Sequence, residues 1–182
     1  MICWLDLETT GLDPQRHAIL EIATVVTDDE LNVVALGPSM TIGHRDMSWE
    51  SLDPFVRLMH DTSGLREACS HSTASVSQAA LATQMFLMTL DAPPHGWVLG
   101  GNNVGTFDLP FLKVHAPDLA ACFRNRGFVD TTTVREVVRR MWPTVYASAP
   151  RGAGGHRAQA DLLASIAEMR FYAAYLSDVS AA

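Results

Sequence analysis

Asp6 and Glu8, in Trp4-Leu5-Asp6-Leu7-Glu8-Thr9-Thr10-Gly11-Leu12, are the first residues whose type and spacing suggest chemistry. Residues two apart on a strand project from one face, so the two carboxylates would stand side by side. Like charges held that close repel, and each resists ionisation unless a cation lies between them. An edge strand could instead show both to water, but the flanking Trp4, Leu5 and Leu7 read as a buried strand. Two further carboxylates stand at helix starts. Asp108 lies where a glycine-rich turn enters Phe107-Asp108-Leu109-Pro110-Phe111-Leu112, and Asp161 ends His156-Arg157-Ala158-Gln159-Ala160-Asp161. Each alone reads as an acid complementing a helix dipole, and His156 alone as a solvated helix-entry residue. As a set, four carboxylates without a cysteine cluster suit hard divalent cations bound through oxygen, Mg²⁺ or Mn²⁺ rather than zinc.

The elements that must position these residues begin with strands. Residues 2–7 are apolar except for Asp6, 19–27 are rich in β-branched residues, Asp28-Asp29 signals a turn, and 33–42 are extended again. Three strands on short connections predict an antiparallel meander. Helical patterns cover 48–59 and 75–90, the second with Ala79, Leu81, Ala82, Met85, Phe86 and Leu90 near helical spacing. Pro93-Pro94-His95-Gly96 breaks the chain before a short strand at 97–99. Helices are expected at 107–115, 117–124 and 131–141, with a brief strand at 128–130. Residues 142–155, holding two prolines and three glycines, read as a mobile loop before a last helix at about 157–177. A meander followed by alternating strands and helices is an α/β pattern with a mixed sheet flanked by helices. The 182 residues, 48% of them hydrophobic, suit a single domain over 1–182.

Composition excludes several classes. No uncharged apolar run reaches the roughly 18 residues of a membrane span. Asp6 and Glu8 interrupt the N-terminal apolar run before a signal-peptide core forms, so a cytoplasmic location is expected. Cys3, Cys69 and Cys122 are far apart and form no CxxC pair, and read as buried free thiols. Thirteen basic against twenty acidic residues give a net charge of −7, which argues against a broad grip on long duplex DNA. A short nucleic acid held by metals and a few local contacts remains compatible with that charge.

In these motifs the chain resembles the DEDD exonucleases of the ribonuclease H-like fold, in the subgroup with a catalytic histidine, and looks closest to the oligoribonucleases. Asp6 and Glu8 match the first motif, Asp108 the second, and His156-x-Ala158-x-x-Asp161 the third. His60-Asp61-Thr62-Ser63-Gly64-Leu65, the 101–105 segment, 129–134, Arg139-Arg140-x-Trp142-Pro143 and 167–172 are similar as well. The resemblance implies metal ligation by Asp6, Glu8, Asp108 and Asp161, with Asp6 bridging two ions. Two metals roughly 3.5–4 Å apart would clamp the attacking and leaving oxygens of a phosphodiester. His156 would take the proton of the attacking water, a task that suits an imidazole, and its place after the 151–155 segment would let it swing over the site.

By the same resemblance, the Thr9 backbone would approach the terminal 3′-hydroxyl, Leu12 would wedge against bases, and Phe55 would stand where the family stacks a tryptophan. Ordinary packing is the alternative for Leu12 and Phe55. His60 would position phosphate or hold its loop, while His17, His44, His71, His95 and His115 read as surface or loop residues. The implied function is metal-dependent 3′→5′ exoribonuclease action on short single-stranded oligonucleotides, giving mononucleotides, by a homodimer. Arg126-Gly127-Phe128-Val129 stands where oligoribonucleases carry Tyr-Arg-Tyr-Leu, and Thr132 and Val104 replace two serines. Those positions cap the substrate's 5′ end and reach across the dimer. A single-strand DNA exonuclease of proofreading or repair type is therefore an alternative, as is a non-catalytic nucleic-acid-binding module.

Overall fold

The computed structural model describes residues 1–91, 93–152 and 155–180. Alternation along β1 (Ile2–Thr9) sorts its side chains onto two covered faces. Cys3, Leu5 and Leu7 enter one apolar cluster and Ile2 and Trp4 another, so Asp6 and Glu8 continue the Ile2–Trp4 row. β1 pairs antiparallel with β2 (Ile19–Thr27), and β2 with β3 (Val33–Thr41), forming the expected meander. On its other edge β1 pairs parallel with β4 (Val98–Gly101), and β4 with β5 (Val129–Asp130). The sheet order is β3-β2-β1-β4-β5, a mixed α/β sheet.

After the meander, α1 (Pro54–Thr62) and α2 (Leu65–His71) close a small cluster in which Leu20 meets Trp49, Leu65 and Cys69. α3 (Val76–Met88), α4 (Asp108–His115) and α5 (Pro117–Ala120) cover the Cys3–Leu5–Leu7 face. α6 (Thr131–Met141) and α7 (Pro143–Ser148) pack against α8 (Ala158–Ser180) around Val138, Val145 and Tyr172. α8 lays Ala158, Leu162, Ile166 and Met169 over Ile2, Trp4 and Val25. Its N-terminal turn therefore reaches the acidic end of the β1 row. Among the described residues, no helix is long and apolar enough to cross a membrane.

Proline accounts for two departures from the expected elements. The 48–59 helix is instead a 3₁₀ turn at Trp49–Ser51, then α1, which Pro54 begins and the Asp53 carboxylate caps on the Phe55 amide at 2.8 Å. The expected 142–155 loop contains α7, whose first residue is Pro143; Ala153 and Gly154 of that loop lie outside the described residues. In the first turn proline lacks only an N–H that had no partner anyway, so it starts a helix as readily as it ends one. α5 stops at Ala120, short of the expected 124, because the chain turns to bridge Phe123 with Trp97. α2 falls where no element was expected. Cys3 and Cys69 are buried free thiols and Cys122 is half-buried.

Candidate active site

β4 is the shorter neighbour of β1, and its register with β1 ends at Trp4↔Gly100. Gly101 follows with no room for a side chain, since a Cβ there would lie 2.8 Å from the Leu5 carbonyl oxygen. The chain then turns through Asn103 (φ 52) into α4, and the Leu7 amide donates 2.9 Å to Asp108 Oδ1 instead of to a strand. The ladder's missing acceptor is thus replaced by a carboxylate. Asp108 is buried against the edge of β1 at Leu7, while Asp6 and Glu8 stand on the α8 side at the carboxyl ends of the parallel strands, where open α/β sheets bind ligands.

From α8 and the segment before it come Asp161 and His156. Glu8, His156 and Asp161 each offer a ligand atom within 4.8 Å of the others. Asp6 lines the same cleft, about 360 Å³ in volume, together with Asn102, Arg135, Ser165 and Glu168. The structure thus brings four of the five expected residues to one cleft, with Asp108 buried beside them and near enough to raise the Asp6 pKa.

A fifth carboxylate, absent from the sequence reading, explains how α8 is aligned. Glu21 on β2 is directly across from Glu8 and 2% exposed. Its carboxylate accepts 2.7 Å from Arg157 Nη2 and 3.0 Å from the Ala158 amide. This ion pair pins the first turn of α8 immediately after His156, whose φ of 47 is a left-handed conformation that non-glycine residues hold only when their surroundings impose it. The one signal for Glu21 was an acid inside a strand that is otherwise apolar or threonine.

Electrostatically the cleft is short of positive charge. Burial, then Asp108, Glu8 and Asp161, raise the Asp6 pKa well above the carboxylate range. Burial, then Asp161 and Glu21, push Glu8 to about 7 against the opposing pull of Arg157. Asp108 is raised chiefly by burial, as is Asp161, where His156 acts in the opposite sense. Crowded carboxylates that resist ionisation, with one imidazole beside them, form an oxygen-rich donor set that a divalent cation would satisfy.

Beyond Glu8 the cleft continues into a groove of about 670 Å³ lined by Thr9, Leu12, Phe55, Val56, Met59 and Phe107. Leu12 is 82% and Phe55 72% exposed, so neither packs into the core. His60 is fully buried, and its Nε2 lies 2.9 Å from the Thr9 carbonyl oxygen. A carbonyl only accepts, so Nε2 carries the proton, and burial lowers the ring's pKa. His60 therefore holds the loop rather than facing the groove. Two histidines read as unremarkable also brace that loop: His17 Nδ1 accepts from the Asp13 amide at 3.0 Å, and His115 Nε2 donates to Pro14 O at 2.9 Å.

Acids gathered at the open end of a mixed sheet, beside an apolar groove, are the arrangement that a metal-dependent nuclease of the ribonuclease H-like fold requires. The exonuclease (RNase T) family model matches residues 3–169. Exonuclease I superimposes with a TM-score of 0.68 at 16% identity, covering 97% of this chain and 43% of that one. Exonuclease I of E. coli in complex with a dT13 oligonucleotide gives 0.69 at 17% identity, over 98% and 42%. The likeness establishes the fold, and the chain spans about two fifths of exonuclease I. Oligoribonuclease of Corynebacterium efficiens is 38% identical over 94% of this chain and 76% of its own length. The Vibrio cholerae oligoribonuclease is 38% identical over 94% and 92%, and the human mitochondrial one 37% over 93% and 70%. The chain belongs to the exonuclease family and, within it, to the oligoribonucleases.

Proposed function

We propose that the chain is a metal-dependent 3′→5′ exoribonuclease that degrades short single-stranded oligonucleotides to mononucleotides. The observation that carries the reading is the meeting, at Glu8, of the carboxylate cleft with a groove floored by exposed Leu12 and Phe55. Asp6, Glu8, Asp108 and Asp161 would hold two divalent cations, Mg²⁺ or Mn²⁺, which supply charge neutralisation for the attacking and leaving oxygens. His156 accepts the proton of the water that attacks phosphorus as the bond to the 3′-oxygen breaks. Leu12 and Phe55 hold the terminal bases by stacking, which tolerates any base. Thr9, its carbonyl fixed by His60, presents backbone to the terminal ribose. The loop braced by His17 and His115 keeps Leu12 in place without further ordering when substrate arrives.

The test is degradation of 5′-labelled RNA of two, five and twenty nucleotides, with DNA counterparts, in Mn²⁺ and in EDTA. Stepwise 3′ shortening that requires metal and disappears in Asp6→Ala and His156→Ala is the expected result. Metal binding without cleavage would return the chain to a binding module. The DNA arm decides between RNA and single-strand DNA as the preferred substrate. The homodimer that the resemblance implies is checked by sedimentation, where a monomer mass overturns it.

A further inference from the structure

Among the described residues lining the carboxylate cleft, Arg135 on α6 is the only arginine or lysine. Its guanidinium is held in a fixed plane. Nε and Nη2 donate to Glu168 at 2.8 Å each, and Nη2 also reaches Asn102 Oδ1 at 3.3 Å. Asn102 donates in turn to Ser165 Oγ, and Ser165 donates 2.8 Å to the Asp161 carbonyl. The plane of the guanidinium is thereby registered against the backbone of Asp161. Nη1 has no hydrogen-bond partner among the described residues.

A brace between α6 and α8 needs one arginine on Glu168, and Arg135 alone would provide it. Glu168, 3% exposed, has two: Arg151 Nη1 donates to the same Oε1 at 2.5 Å, beside the Tyr172 hydroxyl at 2.7 Å. Arg151 is itself occupied, lying 4.2 Å over the Tyr146 ring with its Nη2 on the Tyr146 carbonyl. Two guanidiniums sharing one carboxylate leave one positive charge in excess at the wall of the cleft that also holds Asp6, Glu8 and Asp161. A brace has no need of that excess, nor of a third arm that makes no hydrogen bond to the described residues.

We propose that Arg135 contacts substrate, its Nη1 binding a phosphate oxygen of the oligonucleotide that lies against Asp161, with Glu168 and Asn102 as positioning residues. The inference rests on the nuclease reading of the cleft. A phosphodiester is the ligand class because a fixed guanidinium donor matches its oxygens. A carboxylate ligand would meet the same acids without bringing the geometry that a nucleotide chain supplies through the adjoining groove.

The experiment measures binding of a fluorescently labelled RNA pentanucleotide to the full chain carrying His156→Ala, in Mn²⁺, over a series of salt concentrations. Arg135→Lys and Arg135→Gln are compared in that background, and turnover and melting are followed with His156 intact. Losing one charge-assisted hydrogen bond weakens affinity roughly tenfold or more. In Arg135→Gln the slope of log affinity against log salt flattens by about 0.7, the value for one single-strand phosphate contact. KM rises more than kcat falls. Arg135→Lys keeps a charge that reaches Glu168 and so keeps the melting midpoint, yet loses the aimed Nη1 and its affinity. Should Arg135→Gln not fold, Arg135→Lys decides alone. Unchanged affinity in Arg135→Lys, or lost stability in either variant with affinity and KM as before, makes Arg135 a brace and overturns the proposal. If the parent chain neither binds nor cuts RNA, the nuclease reading itself falls and takes this proposal with it. RNA bound and cut with Arg135 silent leaves that reading standing.

Discussion

At the scale of single residues, the site is defined by carboxyl groups that hold protons too tightly. Burial and neighbouring acids put Glu8 at about 7, and Asp6, Asp108 and Asp161 are displaced in the same direction. A carboxyl whose folded pKa is raised stabilises the metal-free chain below its unfolded value and loses that contribution as pH rises through the folded one. For Glu8 the window runs from its ordinary value of 4.5 up to about 7. A bound cation replaces the proton above it, where the ligands are ionised. The rise in melting midpoint caused by Mg²⁺, relative to EDTA, is therefore expected to be larger one pH unit above that window than one unit below its upper edge. Equal rises would place metal binding elsewhere. His60, lowered by burial, tilts stability the other way but acts equally with and without metal. Asp6 and Glu8 were legible as a pair from residue type and two-residue spacing, whereas Asp108, Asp161 and His156 each read alone as helix-start residues and took their roles from the family resemblance. Glu21 was not legible: its meaning depends on Arg157, 136 positions away, and no local pattern announces that pairing.

At the scale of elements, the Glu21–Arg157 pair fastens α8 to the sheet, and so fastens Asp161 and His156 to Glu8. Arg157→Ala would leave Glu21, 2% exposed, with the Ala158 amide and the Thr41 hydroxyl as its remaining donors and no counter-charge among its hydrogen-bond partners. Breaking a fully buried pair costs about 3–5 kcal/mol; with Arg157 41% exposed and two donors left on Glu21, the loss here is about 1–3 kcal/mol, read as a lower urea midpoint. His156 loses the neighbour that imposes its left-handed backbone, so kcat falls while KM changes little. A variant with unchanged kcat would mean that α8 alone positions the histidine. α1 has the complementary role of presenting Phe55 over the groove. Phe55→Ala is expected to raise KM about five- to hundredfold, as stacking one base contributes about 1–3 kcal/mol, and to leave the melting midpoint unmoved because the ring is 72% exposed. A drop in midpoint with unchanged KM would return Phe55 to packing. The strands were readable from short apolar runs rich in β-branched residues and bounded by a turn signal. Helix ends at Pro54 and Pro143 were not, because a proline is a stop or a start according to the turn it joins.

At the scale of the whole molecule, a net charge of −7 acts on any nucleic acid that outgrows the site. The α/β class was legible because the chain reads as a meander followed by alternating strands and helices. The groove was not legible, because it forms between the loop after β1 and α1, braced by His17, His60 and His115 from three separate segments. On the proposed function, cleft and groove, about 360 and 670 Å³, would hold only the 3′ end of a strand. A longer strand would leave them across a surface where acids outnumber bases, gaining no further phosphate contact. Each contact on a single strand adds about 0.7 to the steepness of the salt dependence. The slope for a twenty-nucleotide RNA is therefore expected to match that for a five-nucleotide RNA, with no gain in affinity, when both are titrated onto His156→Ala in Mn²⁺. A slope that steepens with length would reveal a basic track along the surface, and the preference for short strands would then need a cause other than charge.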